Sequence, residues 1–312
     1  MRLPPPDPVA LGLAVGWAAD RAFGDPRRGH PVAALGRWAG RVEARVHRES
    51  RTAGVVAVVA ALAPALALGV GAGRLPGPAK GAATAVLTWA ALGGTSLGRE
   101  GTAVHDLLLA GDRAGARVQV RTLVGRVTDD LSGDEVARAA VESVAENTSD
   151  AVVGTLVWGA LLGPVGIVLH RGANTLDAMH GHRTRRYARF GWAAARLDDV
   201  LGWLPARVTV LATAATTPLR AQDVIRAAAT DGRAHPSPNA GPVEAGVAAA
   251  LGLRLGGRTT YAGGTEERPL LGSGLPPGVT DLPRAVSLAR RVGAVTLVGA
   301  VGARLAATSR VA

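Results

Sequence analysis

The sequence has 312 residues, of which 48% are hydrophobic, 19% are charged and 3% are aromatic. The formal net charge is +11, but the arginines lie between long uncharged stretches without interleaved aromatic residues, which argues against nucleic acid as a partner. Cysteine is absent, which excludes disulfides and thiolate metal sites, so a metal ion would need oxygen or imidazole ligands. The 42 glycines suit closely packed membrane helices.

Uncharged stretches of about 20 residues are long enough to cross a bilayer core as helices. Residues 53–73 and 81–98 carry no charge and predict a membrane hairpin. A soluble protein with very apolar buried helices is the alternative to membrane spans. Further apolar stretches are residues 151–169, residues 200–219 with Arg207 inside, and residues 292–307 with Arg304 inside.

These stretches predict an all-α fold, namely a multi-pass bundle embedded in the plasma or inner membrane as a single domain over residues 1–312. Residues 20–51 and 99–150 are rich in arginine, and the positive-inside rule therefore places them in the cytoplasm. Residues 263–283 combine glycine, proline and acidic residues, which predicts an exposed irregular segment.

An acidic pattern follows Ser132, which opens a predicted helix through a capping box. On that helix Glu142, Glu146 and Asp150 recur every four residues and would share one face. Carboxylates at this spacing repel one another unless a cation lies between them. Together with Asn147 they would suit Mg²⁺, although a solvated helix face is the simpler alternative.

A polar stripe follows the third apolar stretch, with Arg171, Asn174 and Asp177 at helical spacing. Polar side chains at the membrane edge are costly unless they face protein or water, which favours a functional role over helix–helix hydrogen bonding. If residues 151–169 crossed the bilayer, this stripe and the acidic helix would lie on opposite sides. Gly163-Pro164 predicts a broken or re-entrant helix that returns the chain to one cytoplasm-accessible cavity.

Further polar residues are clustered around residues 180–199 and 235–241 and in an N-terminal loop. Arginines in the first cluster would bind phosphates through paired hydrogen bonds, or would anchor the chain to anionic lipids. The second cluster combines His235 and Asn239 with alternating prolines, which predicts a rigid turn. The loop carries Asp20, Asp25 and His30, which could hold a metal ion or a phosphate.

The residues of these motifs and their order along the chain resemble the signature motifs of the CbiB/CobD family of adenosylcobinamide-phosphate synthases. The N-terminal loop with Gly-Asp-Pro and His-Pro-Val is similar to the family's first signature, and residues 261–264 resemble another family element. The remaining matching stretches are Glu-Ser-Val-Ala-Glu-Asn-Thr-Ser-Asp at 142–150, Arg-Gly-Ala-Asn-Thr-Leu-Asp at 171–177, residues 190–199, and His-Pro-Ser-Pro-Asn-Ala-Gly at 235–241.

The resemblance implies an ATP- and Mg²⁺-dependent ligase that joins a carboxylate of adenosylcobyric acid to (R)-1-aminopropan-2-ol O-phosphate or aminopropanol. The expected partners are this corrinoid, the aminoalcohol and the lipid bilayer, while assembly into a homo-oligomer stays open. A membrane transporter or sensor for a corrinoid or another anion is the alternative function. The sequence has no Walker-type glycine loop, so ATP would need an unconventional site.

We assign hypothetical roles from the chemistry that such a reaction needs. The proton-transfer candidates are His235 and His30, with Glu146 and Asn147 as further catalytic candidates. The candidates for binding phosphate and substrate are Arg171, Asn174, Arg186, Arg189, Arg196 and Asn239. The candidate Mg²⁺ ligands are Glu142, Glu146, Asp150, Asp177, Asp198 and Asp199.

Overall fold

The computed structural model describes residues 7–26, 29–181, 184–261 and 264–309. It is 76% helical, which confirms the all-α class at this coarse level. The α-helices of the described residues are α1 (Pro8–Phe23), α2 (Pro31–Val46), α3 (Arg51–Arg74), α4 (Gly77–Leu92), α5 (Gly94–Leu109), α6 (Arg113–Val120), α7 (Gly133–Asn147), α8 (Gly154–Leu162), α9 (Pro164–His180), α10 (Trp192–Thr216), α11 (Ala221–Ala229), α12 (Ala240–Leu251) and α13 (Asp281–Ser309).

Shorter elements complete the fold. A π-helix, Thr148–Val153, joins α7 to α8, and 3₁₀ turns form at Pro218–Arg220 and Asp231–Ala234. Two strands, β1 (Leu255–Tyr261) and β2 (Gly264–Leu271), follow α12.

The chain forms two compact units, and neither is continuous in sequence. Unit 1 comprises Met1–Gly93, Asp150–Leu204 and Thr296–Ala312, and unit 2 comprises Gly94–Ser149 and Pro205–Val295. The prediction of a single membrane-embedded domain stays a prediction.

Two of the described helices, α3 and α13, are long and apolar enough to cross a membrane. In their most apolar windows only 28% and 22% of the residues are buried, whereas the core helix of a soluble protein would be mostly buried. Val59 on α3 is 63% exposed and Val298 on α13 is 73% exposed. Two of the five predicted spans therefore coincide with helices of suitable length and polarity.

Two of the other apolar stretches are interrupted by glycine, and only the interruption at Gly163 was predicted. Residues 81–98 are divided between α4 and α5 by Gly93, whose φ of 69° lies in the left-handed region. Residues 151–169 are divided at Gly163, and residues 200–219 belong largely to α10, which contains Pro205. Length without charge was therefore insufficient to predict uninterrupted helices, because glycine can end a helix within an apolar stretch.

Helices α8 and α9 form an antiparallel helical hairpin. Gly163 ends α8 with φ 61° and ψ −144°, and Pro164 begins α9, where its missing N–H costs no hydrogen bond. Gly166 lies so close to the carbonyl oxygen of Trp158 that an added Cβ would be 2.1 Å from it. The predicted break at Gly163-Pro164 is confirmed, and the chain reverses there.

The hairpin is fixed by an apolar core within unit 1. Leu156 of α8 and Ile167 of α9 are almost completely buried and belong to one cluster with Leu13 of α1 and Leu92 of α4. Burial of such side chains stabilises the fold by about 1.5–3 kcal/mol each. The hairpin is therefore held by packing on two other helices.

The π-helix changes the geometry of the acidic pattern. Helix α7 ends at Asn147, so Asp150 lies in the π-helix and not on α7. The expected alignment of Glu142, Glu146 and Asp150 assumed one uninterrupted α-helix, whereas the helix type changes before Asp150, so a shared face stays a prediction. π-helical turns often occur at functional sites, where they alter the direction of a side chain.

Strands β1 and β2 form an antiparallel β-hairpin, with Gly257 opposite Arg268 and Tyr261 opposite Gly264. The prediction of an irregular segment over residues 263–283 is therefore wrong for the residues of β2. Strand formation here depends on pairing with β1, and the glycines of β1 and the glycine and proline of β2 hide the usual strand signal.

Candidate functional site

Three polar side chains of unit 1 meet across the α8–α9 hairpin. Asn174 Nδ2 donates a hydrogen bond to Asp150 Oδ2 at 3.3 Å, and Arg171 Nη1 donates to Asn174 Oδ1 at 3.3 Å. Asp150 precedes the apolar stretch 151–169, whereas Arg171 and Asn174 follow it. The reversal at Gly163 thus brings the two sequence motifs together.

The charge of a second carboxylate, that of Asp25, influences Arg171. Burial lowers the pKa of Arg171, while the charges of Asp25 and Asp150 oppose that shift and therefore lie near the guanidinium. The loop of Asp25 is fixed by a hydrogen bond of 2.8 Å from Trp89 Nε1 to the carbonyl oxygen of Gly24. Arg171 Nε is buried and has no hydrogen-bond partner among the described residues. We call Asp25, Asp150, Arg171 and Asn174 the unit 1 centre.

The unit 1 centre has the donor chemistry of a site for Mg²⁺ with phosphate. Proteins commonly hold Mg²⁺ through one or two carboxylates and complete its shell with water and substrate phosphates. Asp25 and Asp150 provide the carboxylates, and Arg171 provides a planar cation suited to phosphate oxygens. Within the described ranges, no three His, Asp or Glu side chains are grouped as ligands of one metal ion.

The other predicted metal ligands of unit 1 lie in different surroundings. Asp177 is half-buried near the end of α9, where the backbone N–H of Gly181 donates to its carbonyl oxygen. Asp198 and Asp199 are half-buried on α10, and Asp199 accepts a hydrogen bond of 3.3 Å from Arg196. Their assignment as Mg²⁺ ligands stays a prediction.

The basic segment after α9 contains one arginine that is engaged with α2. Arg186 donates from Nη2 to Glu43 Oε1 at 2.8 Å, and Tyr187 donates to the same oxygen at 3.0 Å. Burial alone would raise the pKa of Glu43, but these hydrogen bonds and those of His180 lower it. Arg186 therefore holds the segment on α2, whereas the Arg189 side chain is exposed. His182 and Arg183 of this segment lie outside the described residues.

The most buried ion pair of unit 2 joins Glu142 to Arg126, with 2.6 Å between the carboxylate and Nη2. The other oxygen of Glu142 accepts a hydrogen bond of 2.9 Å from the backbone N–H of Gly256. Burial disfavours the charge on Arg126, but the adjoining Glu142 outweighs it and raises the pKa of Arg126. Both carboxylate oxygens of this predicted Mg²⁺ ligand are thus already engaged by protein groups.

Glu244 is a buried carboxyl group close to this pair and is only 2% exposed. Burial raises its pKa well above the usual value, and the charges of Glu142 and Glu146 add to the shift. The neutral acid is therefore the favoured form of Glu244. Glu146, a predicted catalytic residue and metal ligand, is half-buried and contributes to this environment through its charge.

His235 is held through its Nδ1 atom. The backbone N–H of Ser237 donates to His235 Nδ1 at 3.1 Å, which favours the tautomer with its proton on Nε2, while the carbonyl oxygen of Ser237 lies 3.4 Å from the same nitrogen. Burial, followed by the charge of Arg268, lowers the pKa of His235 and favours the neutral ring. The role of His235 in proton transfer stays a prediction.

His30 is held in the same way in unit 1. The N–H of Val32 donates to His30 Nδ1 at 3.2 Å, so His30 caps the start of α2. A proline follows each of these two histidines, and the backbone N–H of the residue after that proline donates to Nδ1 of the histidine. Because proline has no N–H, the next amide is the first that can bond back to the ring.

Asn147 and Asn239, the two predicted asparagines of unit 2, make hydrogen bonds within that unit. Asn147 Nδ2 donates to the carbonyl oxygen of Ser143 at 3.0 Å, which is a contact within helix α7. Asn239 Oδ1 accepts from Arg207 Nη1 at 3.2 Å. Arg207, the charge inside an apolar stretch, thus has a partner at the start of α12.

Sequence reasoning did not identify several residues of these centres. Arg126 lies in a stretch without motif or periodicity, so no local signal marks it as the partner of Glu142. Glu244 and Glu43 likewise belong to no pattern that marks them as partners of other charged residues. Asp25 was predicted, because it belongs to the polar loop at the N-terminus that could hold a metal ion or a phosphate.

Comparison with known proteins agrees with the order of the motifs. Residues 13–289 match the family described as CobD/Cbib protein. Three relatives are each named "Cobalamin biosynthesis protein CobD". The protein of Mycobacterium tuberculosis is 47% identical over 296 residues, covering 94% of this chain and 95% of the relative.

The relative from Stutzerimonas stutzeri is 42% identical over 284 residues, covering 90% of this chain and 93% of its own length. The relative from Chromobacterium violaceum is 40% identical over 312 residues, covering 94% of this chain and 99% of its own length. No solved structure matches the chain. The extent of these matches shows that the chain belongs to the CobD/CbiB family.

Proposed function

We propose that this protein acts in cobalamin biosynthesis as an ATP- and Mg²⁺-dependent ligase. It joins a carboxylate of adenosylcobyric acid to the amine of (R)-1-aminopropan-2-ol O-phosphate, or of aminopropanol, and forms adenosylcobinamide phosphate or its analogue. The family membership and the names of the relatives support the pathway. The unit 1 centre supports the ATP chemistry.

The single observation that carries the ligase proposal is the hydrogen-bonded group Asp150–Asn174–Arg171. A carboxylate reacts poorly with an amine because its oxygen is a poor leaving group, so the carboxylate must first be activated. Attack of a carboxylate oxygen on the γ-phosphorus of ATP forms an acyl phosphate and releases ADP. The amine then forms the amide bond, loses a proton and displaces inorganic phosphate.

The unit 1 centre fits the phosphate part of this reaction. Arg171 can donate two hydrogen bonds to phosphate oxygens and offset the charge that develops during transfer. Asn174 fixes both Asp150 and Arg171, because its amide bonds to each of them. Asp150 and Asp25 would hold Mg²⁺, which supplies positive charge to the phosphate oxygens when it is bound.

The site proposed here lies in a membrane-embedded bundle. Exposed apolar side chains on α3 and α13 would be unfavourable in water and favourable in lipid. We place the polar motifs on the cytoplasmic side. Because the chain has no cysteine, Asp130→Cys and Thr184→Cys, both at exposed positions, can be labelled singly in intact cells. Labelling of the two positions from opposite sides would contradict this arrangement.

An assay with purified protein in lipid nanodiscs tests the ligase proposal. Adenosylcobyric acid is supplied with either amine, in the presence or absence of ATP and Mg²⁺, and the corrinoid product and ADP are quantified. Equal amounts of amide and ADP, formed only when all components are present, are expected. A transporter or sensor would bind the corrinoid without forming the amide, and that result would overturn the proposal.

A further inference from the structure

Four buried side-chain donors of unit 2 have no hydrogen-bond partner among the described residues, namely Nε of Arg138, Oγ1 of Thr213, Nε2 of His235 and Nε of Arg268. Two of them, on His235 and Arg268, belong to segments that are joined by a hydrogen bond. His235 is only 8% exposed, and Arg268 is half-buried on β2. Buried polar atoms in native proteins are nearly always paired, so two unpaired donors in joined segments call for an explanation.

The two side chains lie within range of each other's charge. After burial, the charge of Arg268 is the largest influence that lowers the pKa of His235. A hydrogen bond also joins the two segments, because the backbone N–H of Gly272, just after β2, donates to the side-chain oxygen Oδ2 of Asp231 at 3.0 Å. Asp231 begins the turn that leads into His235, so the end of β2 is joined to the histidine loop.

Both donors are held in position by other groups. Ser237 holds the imidazole through Nδ1, because its backbone N–H donates to this atom at 3.1 Å, and the shorter contact favours the tautomer with its proton on Nε2. The guanidinium of Arg268 lies over the ring of Tyr261, 5.5 Å from its centre. The β-hairpin that carries Arg268 and Tyr261 is attached to α7, because Arg138 Nη2 donates to the carbonyl oxygen of Arg258 at 2.8 Å.

The local charges favour a ligand with one negative charge. Arg126 is neutralised by Glu142, and burial favours the uncharged form of Glu244. Arg268 then offers one positive charge beside a neutral N–H donor. The charge of Glu146 adds to this environment and opposes a dianionic phosphate more than a carboxylate with one charge.

We propose that His235 Nε2–H and the Arg268 guanidinium form a binding site in unit 2 for a carboxylate group. Tyr261 is a positioning residue that holds Arg268. Identification of this group with the reacting carboxylate of the corrinoid rests on the proposed ligase function. The binding site itself does not, because any small carboxylate can occupy it.

Selective isotope labelling of histidine provides the test. The protein in nanodiscs is labelled with ¹⁵N-histidine, and the His235 signals are assigned through His235→Gln. Sodium propionate is then titrated at constant ionic strength, with inorganic phosphate and chloride as parallel titrants. We expect a proton on Nε2 and a saturable shift of the His235 signals with propionate, at lower concentration than with phosphate.

Matched variants of the hairpin separate the site from general effects of charge. Arg268→Gln should weaken propionate binding about tenfold or more, because it removes a charged hydrogen-bond donor. Arg258→Gln removes an arginine from the opposite strand, where its side chain is 76% exposed, and should leave binding unchanged. If Arg268→Gln does not fold, Arg268→Lys keeps the charge, loses the planar fork and should still weaken binding severalfold.

Three outcomes would overturn the carboxylate site: no saturable shift with propionate, tighter binding of phosphate, or equal effects of the Arg268 and Arg258 variants. The titration contains no ATP, Mg²⁺ or corrinoid. Failure of the ligase assay with intact propionate binding would therefore reject the proposed function and keep the site. The reverse pattern would reject the site alone.

Discussion

Asn174 bonds directly to Asp150 although the two residues are 24 positions apart and are separated in sequence by an uncharged stretch. The contact is made because the chain reverses at Gly163, so α8 and α9 run antiparallel. A bilayer cannot separate two side chains that share a hydrogen bond. The reversal therefore allows both motifs to contribute to one centre.

Replacement of the carboxylate of Asp150 tests its proposed role in holding Mg²⁺. Asp150→Asn should slow ADP formation about 100-fold and increase the Mg²⁺ concentration needed for half-maximal rate. The measurement is the rate of corrinoid-dependent ADP release over a range of Mg²⁺ concentrations. Asp223→Asn, at an exposed position on α11, is the control and should change the rate less than about twofold. An unchanged Mg²⁺ requirement in Asp150→Asn would remove Asp150 from the metal site.

The close packing of the α8–α9 hairpin can be tested by adding one methyl group. In Gly166→Ala the new Cβ would meet the backbone oxygen of Trp158, so the free energy of unfolding should fall by about 1–3 kcal/mol. Gly71→Ala on α3 meets no atom within 4 Å and should raise stability by up to about 1 kcal/mol through helix propensity. Thermal unfolding in detergent compares the two variants. Equal stability of both would contradict the observed packing.

The buried pair Glu142–Arg126 should be important for stability. Glu142→Leu leaves the Arg126 charge buried without its carboxylate and should cost about 3–5 kcal/mol. In the double variant Glu142→Leu with Arg126→Met no unpaired charge remains, and part of that loss should be recovered. Denaturant unfolding of both variants measures this coupling. If the losses simply add, the two side chains do not act as a pair.

Glu244 should make stability depend on pH. Its pKa is raised in the folded state, so its contribution is fully present below the unfolded pKa of about 4.5 and is lost as pH rises through the folded value. The wild-type protein should therefore lose stability as pH rises above the unfolded pKa, whereas Glu244→Gln should lose less. Thermal unfolding of both proteins at increasing pH tests the prediction, and the same loss of stability with pH in both would refute it.

The sequence predicted the local features of this fold better than its distant contacts. The capping box at Ser132 is present, with Glu135 bonded back to the Ser132 backbone, because both partners lie three residues apart. The break at Gly163-Pro164 was likewise predictable from two residues with special backbone preferences. The meeting of Asp150 and Asn174 followed once a break was assumed.

Contacts that depend on tertiary structure were not predictable. The π-helix at Thr148–Val153 has no sequence signal of its own, so the change of helix type before Asp150 was not predicted. The partners of Glu142, Arg126 and the amide of Gly256, come from distant segments and were not predicted either. The contact of the Ser237 N–H with Nδ1 of His235 depends on the conformation of the turn and is visible only in the structure.

Transfer of oxygen tests the proposed ligase chemistry most directly. Adenosylcobyric acid labelled with ¹⁸O in its reacting carboxylate is converted with ATP, Mg²⁺ and the aminoalcohol phosphate, and the released inorganic phosphate is analysed by mass spectrometry. An acyl phosphate route transfers one carboxylate oxygen to each phosphate released with amide formation. We predict one ¹⁸O in each released phosphate, whereas amide formation with unlabelled phosphate would contradict the account.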